Sequence, residues 1–140
     1  MTLSATSVGD NVETPGLTAS SLYSDQLIAG RFIPETTNVT IGAGTLKRGT
    51  VLGVVTATGD YVLSVATAAD GSQVPVAILA DDADASAGAV VAPAYLTGEF
   101  NSNRMTYDAS WTLAALQAAL LKSSIFVKVM AAALSASDPT

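Results

Sequence analysis

Residues 46–55, LKRGTVLGVV, decide the fold class of this chain. Lys47-Arg48-Gly49-Thr50 is polar and contains a glycine, as is typical of a turn, and Val51-Leu52-Gly53-Val54-Val55 is apolar and mostly β-branched, as is typical of a strand. A second turn signal, Thr58-Gly59-Asp60, leads into Tyr61-Val62-Leu63. The pattern therefore predicts a β-hairpin whose second strand returns beside the first.

Short apolar runs bounded by turn residues recur on both sides of this hairpin. They are residues 39–41, which follow the apolar Leu27, Ile28, Phe32 and Ile33, and residues 74–79, 89–96 and 125–130. Pro75 favours a strand start or an edge position for the run that contains it. Three intervening segments each begin with glycine or aspartate and are expected to be connections: residues 42–47, 81–84 and 98–101.

One segment has a helical pattern instead. Leucines recur at the spacing of one helix face, with alanines and a glutamine between them: Leu113, Leu116 and Leu120. An amphipathic helix is expected, capped by Asp108 or Ser110 and favoured at its last turn by the charge of Lys122. The sequence thus predicts a mostly β (β-rich α+β) small single domain with one short helix near the C-terminus.

The chain also divides by composition. Residues 1–26 hold no Lys or Arg, are rich in Ser, Thr, Gly and Asn, and show no sustained period. So few large apolar side chains cannot offset the entropy of ordering a backbone, which predicts an extended N-terminal arm that orders on a partner. The alternative is an unbound, mobile terminus. Residues 27–131 are expected to form the β-rich domain, and residues 132–140 a short C-terminal tail.

The charge balance points to a protein partner. Charged residues make up 13% of the chain and hydrophobic residues 49%, which favours a surface partly hidden by assembly. The net charge is −6, and the basic residues form no cluster: they are Arg31, Lys47, Arg48, Arg104, Lys122 and Lys128. Since nucleic acids and anionic membranes attract clustered Lys and Arg, we expect binding to neither.

Enzymatic chemistry is not expected. The chain contains no His and no Cys, which removes a Ser-His-Asp triad, a cysteine nucleophile and the usual zinc sites. The first residues, MTLSATSVGD, lack the basic and apolar regions of a signal peptide. We therefore expect a non-enzymatic protein, without a cofactor, made in the cytoplasm of the cell that expresses it.

Two segments carry features of binding sites. Asp81, Asp82 and Asp84, together with Glu99, could supply oxygen ligands to calcium, but their spacing fails the twelve-residue calcium loop and favours a solvated turn. Residues 42–47, GAGTLK, resemble a phosphate cradle but lack the terminal Gly-Lys-Ser/Thr, which favours a hairpin connection.

Three further residues have candidate roles of their own. Trp111, at the predicted helix start, is expected either to pack in the core or to lock the helix onto the sheet or onto a neighbouring subunit. Ser123 and Ser124, between helix and strand, have no nearby base and are interpreted as turn residues.

The order of these segments resembles the head decoration protein family typified by phage lambda. The resemblance is carried by Lys47-Arg48-Gly49-Thr50-Val51-Leu52-Gly53, by Ala69-Asp70-Gly71 leading to Ala77-Ile78-Leu79-Ala80, and by Tyr95-Leu96-Thr97-Gly98-Glu99-Phe100, followed by a helix and a closing strand. It implies a homotrimer that binds the major capsid protein at threefold and quasi-threefold positions on the outside of an expanded head. There the trimer stabilises the head against internal DNA pressure.

In such proteins the N-terminal arm adds a strand to the capsid protein. Within the arm, residues that suit strand addition and pocket filling are the expected contacts: Thr14, Pro15, Leu17, Leu22 and Tyr23. Two other functions remain open from the residues alone. They are another virion structural or adhesion module, such as a tail or fibre protein, and a metal-binding domain that acts through the acidic cluster.

Overall fold

The computed structural model describes residues 26–129, which form nine strands and one α-helix. In chain order these are β1 (Thr36–Ile41), β2 (Gly44–Leu46), β3 (Val51–Val54), β4 (Tyr61–Leu63), β5 (Pro75–Leu79), β6 (Ala83–Ala85), β7 (Val90–Tyr95), β8 (Gly98–Asn101), a short 3-10 helix (Ser102–Arg104), α1 (Leu113–Leu121) and β9 (Ile125–Lys128). None of the helices in this range is long and apolar enough to span a membrane.

Five of the strands close into a barrel in the order β1-β4-β3-β5-β7. Its longest pairing is antiparallel, between β1 and β7, from Thr36 opposite Tyr95 to Ile41 opposite Val90. The single parallel pairing in the barrel, β1 with β4, closes the circle. Two small sheets lie outside it, one of β2 with β6 and one of β8 with β9 in parallel.

Alternating side chains on β3 and β5 separate two hydrophobic cores. Leu52, Ala77 and Leu79 point into the barrel, whereas their neighbours Val51 and Ile78 point outward beneath the helix. All five side chains are fully buried. Because side chains alternate across a strand, the same two strands serve as one wall of the barrel core and as the floor of the second core.

The second core lies between the barrel, α1 and the β8–β9 sheet. Its members from outside the barrel strands are Leu27, Phe100, Met105, Leu116, Leu120 and Ile125. Phe100 is fully buried, and its ring lies 5.4 Å from that of Tyr95. Helix α1 therefore packs on this core through Leu116 and Leu120 and not on the barrel interior.

Gly53 lets a loop approach β3 closely. A Cβ at this position would lie 2.1 Å from the backbone oxygen of Ser72, a distance that no side chain could tolerate. The same Ser72 oxygen accepts a hydrogen bond from the buried Ser64 hydroxyl at 2.8 Å. Gly53 is thus required by packing, even though glycine weakens an isolated strand.

The predicted fold class is confirmed, since the chain is strand-rich with one short helix near the C-terminus. The strands expected within residues 39–41, 51–55, 61–63, 74–79, 89–96 and 125–130 are all present, and Pro75 begins its strand. These segments could be predicted because each contains apolar residues, either in a run or at alternate positions, as is typical of buried strands.

Five local predictions were wrong. Residues 42–47 and 81–84 are not mere connections, because β2 and β6 pair there, and residues 98–101 form β8. The helix is capped by Thr112, whose hydroxyl accepts from the Ala115 N–H at 3.2 Å, and not by Asp108 or Ser110. The helix is also not amphipathic, because residues 113–121, LAALQAALL, contain no charge on any face.

Ile78→Ala is expected to lower the free energy of unfolding by about 2–5 kcal/mol, because it leaves a cavity in the second core. Val91→Ala is the control, because Val91 is 69% exposed, and its cost should stay below about 1 kcal/mol. Urea unfolding followed by circular dichroism measures both. Equal losses in the two variants would contradict the burial of Ile78 in the second core.

Candidate interaction surface: the junction of arm and domain

The described chain enters the domain as a third strand-like segment beside β8. Leu27 is 2% exposed, and its carbonyl accepts from the Asn101 N–H at 2.7 Å. The Ala29 N–H donates to the Glu99 carbonyl at 2.8 Å, and Ile28 forms an antiparallel bridge with Phe100. Residues 27–29 are therefore fixed to the β8–β9 sheet by backbone hydrogen bonds and by a buried leucine.

Glu99 links this entry segment to the last strand. One oxygen of its carboxylate accepts from the Phe32 N–H at 2.7 Å, and the other forms an ion pair with the Lys128 ammonium. The Glu99 side chain is 17% exposed. The hydrogen bond from Lys128, followed by that from the Phe32 backbone, lowers the pKa of Glu99 below its ordinary value. One carboxylate thus ties residues 30–32, β8 and β9 together.

Two neighbours fit this arrangement. A Cβ at position 30 would lie 2.2 Å from a Glu99 carboxylate oxygen, so the glycine leaves room for the side chain. The Phe32 ring packs edge-on against Phe126 of β9, with centroids 5.4 Å apart and planes at 78°. Aromatic pairs favour this geometry, and the contact extends the apolar surface of β9 onto the entry segment.

The basic pair in the deciding stretch has a structural role. The Asp82 carboxylate accepts from the Arg48 N–H at 2.8 Å and from the Lys47 ammonium at 3.3 Å, and these two hydrogen bonds lower the pKa of Asp82. The Arg48 guanidinium donates to the Ala80 carbonyl and to the Tyr95 hydroxyl. Lys47 and Arg48 therefore fasten the β2–β3 connection to the β5–β6 connection.

The four carboxylates weighed as a calcium site do not come together. Glu99 binds Lys128, Asp82 binds Lys47 and Arg48, and Asp84 accepts from the Ser86 hydroxyl at 2.6 Å. Asp81 accepts from the Asp82 N–H at 2.9 Å. Between residues 26 and 129 the structure contains no group of three or more His, Cys, Asp or Glu that could hold a metal ion. The metal-binding alternative therefore lacks its site.

The other candidate residues from the sequence have structural roles. Residues 42–47 run into β2 and pair with β6, so they do not open a helix as a phosphate loop does. Trp111 is half-buried and packs against the second core, which is the core-packing alternative. Ser123 and Ser124 lie in the turn between α1 and β9, where Ser124 has a φ of 60°.

The predicted arm contacts stay predictions. Thr14, Pro15, Leu17, Leu22 and Tyr23 lie outside the described residues. Conversely, the junction built from Leu27, Glu99 and Lys128 was not predicted. Polar and apolar side chains alternate over Glu99-Phe100-Asn101, which is a weak signal for a strand, but no local pattern pairs Glu99 with a lysine on another strand.

The Glu99 pair predicts a pH-dependent stability. Because the pKa of Glu99 is lower in the folded protein, its contribution is present above the ordinary carboxyl pKa and is lost as the pH falls through the folded value. Glu99→Gln should therefore lower the urea midpoint at neutral pH, and the difference from the parent protein should shrink at about pH 3.

Glu35→Gln, at an exposed position, is the matched control for Glu99→Gln. It should leave the urea midpoint nearly unchanged at both pH values. A Glu99→Gln deficit of constant size across this pH range would show that the ionised carboxylate is not what stabilises the junction.

A family model agrees with the resemblance carried by the sequence. Residues 24–126 match the model of the bacteriophage lambda head decoration protein D. No curated protein matches the chain at a significant level. The matched region covers well over half of the 140 residues, including the buried residues of both cores and, of the junction, Leu27 and Glu99. The chain therefore belongs to the family of the bacteriophage lambda head decoration protein D.

Proposed function

We propose that this protein decorates the outside of an expanded icosahedral phage head, where it binds the major capsid protein as a homotrimer and stabilises the shell against internal DNA pressure. The observation that carries the proposal is the family match over residues 24–126. The family is one of structural capsid components. The protein acts in the virion after synthesis in the host cytoplasm, with neither a cofactor nor a nucleic-acid or membrane partner.

In this proposal the arm binds the capsid and the domain assembles into the trimer. Residues 1–26 bind the capsid protein by strand addition through Thr14, Pro15, Leu17, Leu22 and Tyr23. Residues 27–131 form the body that assembles, and residues 132–140 are a short tail. The junction supports this division, because buried Leu27 and the backbone bonds of residues 27–29 to β8 join the arm to the second core.

This junction also suits a load-bearing role. Tension on an arm bound to the shell reaches the Leu27 and Ala29 hydrogen bonds and the Glu99 contacts before it reaches the barrel. A trimer brings three such arms to one site, and binding of the first raises the effective concentration of the others. Weak single contacts then give firm attachment.

The alternative from the sequence is another virion structural or adhesion module, such as a tail or fibre protein. Expanded heads that lack decoration distinguish the two. A decoration protein sediments with such heads, whereas a tail, fibre or adhesion module stays in the supernatant.

Deletion of residues 1–25 should abolish co-sedimentation with undecorated expanded heads and leave a folded trimer. Binding should be lost because the deletion removes the proposed capsid-binding arm, and the fold should remain because Leu27 and both cores are kept. Thermal unfolding and the solution mass of the truncated protein are the controls for fold and assembly. Binding of the truncated protein with unchanged affinity would contradict the role of the arm.

A further inference from the structure

Helix α1 has an apolar face that nothing in the described chain covers. Leu116 and Leu120 are buried in the second core, but Ala114 and Ala118 are exposed and Leu121 is 56% exposed. Surface helices usually carry charged residues on the side that faces water, and helices that are apolar all round are usually buried all round. The composition of α1 therefore indicates that its outer side is covered in the assembled protein.

This outer side forms a groove with β9. The groove has a volume of about 360 Å³ and is lined by Ala114, Gln117, Ala118 and Leu121 of the helix and by residues 125–127 of the strand. Gln117 donates to the Val127 carbonyl at 3.0 Å, which joins the helix to β9. Within residues 26–129, β9 pairs with β8 alone. An apolar groove thus runs beside the free edge of a strand.

The apolar surface continues beyond the groove. Phe126 is 37% exposed and contacts Phe32, which is itself 43% exposed. Next to Phe32, Ile33 is 80% exposed. We call the groove with Phe126 and Phe32 the α1–β9 surface.

The charge of the protein favours a second copy of the chain as the partner that binds this surface. Each copy carries a net charge of −6, so copies repel unless they meet where carboxylates are absent or neutralised. No residue that lines the groove is charged. On β8, beside β9, the Glu99 carboxylate is already paired with Lys128. Two copies can therefore meet across the groove without placing carboxylates of its lining against each other.

We propose that the α1–β9 surface is the place where copies of this chain pack against one another. The assignment rests on the proposed homotrimer and adds the face through which it forms. Burial of Leu121, Ala118 and Phe126 by a neighbouring copy supplies the apolar contact, and the uncharged helix avoids the cost of burying an unpaired charge.

Leu121→Lys tests the assignment by analytical ultracentrifugation. A lysine near the helix C-terminus suits the dipole, so the change should leave the helix intact while it places a charge in the interface. We expect the variant to sediment as a single chain. Val91→Lys is the matched control, because it makes the same substitution at a 69% exposed position on the barrel. It should sediment as a trimer.

A second measurement does not depend on disrupting the protein. The chain has no cysteine, so a single introduced thiol is the only one present. In the trimer, Ala118→Cys should react with an alkylating reagent at least 10-fold more slowly than Val91→Cys. Dilution to the single chain should remove the difference.

The outcomes separate this assignment from the proposed function. A parent protein that sediments as a single chain overturns the homotrimer itself. A trimeric Leu121→Lys overturns the α1–β9 surface alone, and if that variant also fails to bind heads, the surface faces the capsid. Protection of Ala118→Cys that persists in the single chain means that residues 130–140 cover the groove, which also overturns the assignment.

Discussion

The structure depends on the alternation of side chains along β3 and β5. Leu52, Ala77 and Leu79 fill the barrel, while Val51 and Ile78 support the helix and the β8–β9 sheet. Because these two strands serve both cores, the outer layer cannot shift without disturbing the barrel wall. The rigid part of the molecule therefore extends from the barrel to the β8–β9 sheet, which is where the arm joins the domain.

The second core also supports both of the proposed contacts with partners. Leu27 packs in this core, and the backbone of residues 27–29 lies beside β8, so the point from which the proposed arm would extend is fixed to the domain. Glu99 joins the same segment to Lys128 on β9, next to the apolar outer side of α1. The attachment of the arm and the surface proposed for self-association are thus built on neighbouring strands of one small sheet.

Much of the fold could be predicted from the sequence, and the reason is physical. β3, β4, β5 and β7 each carry a run of apolar residues, and α1 carries leucines at helical spacing. β2 and β6 have three residues each and exist because they pair with each other, so no local pattern reveals them. Residue type alone associates Glu99 with the aspartates of residues 81–84, although its partner Lys128 is set by the parallel pairing of β8 and β9.

Hydrogen–deuterium exchange of the protein, free and bound to undecorated expanded heads, tests whether the proposed arm attaches the domain to the shell. We expect amides of residues 1–25 to become protected only on the head. The Ala29 amide donates a hydrogen bond to the Glu99 carbonyl and should be protected in both states. Binding to heads without any new protection in residues 1–25 would contradict the claim that the arm attaches this domain to the shell.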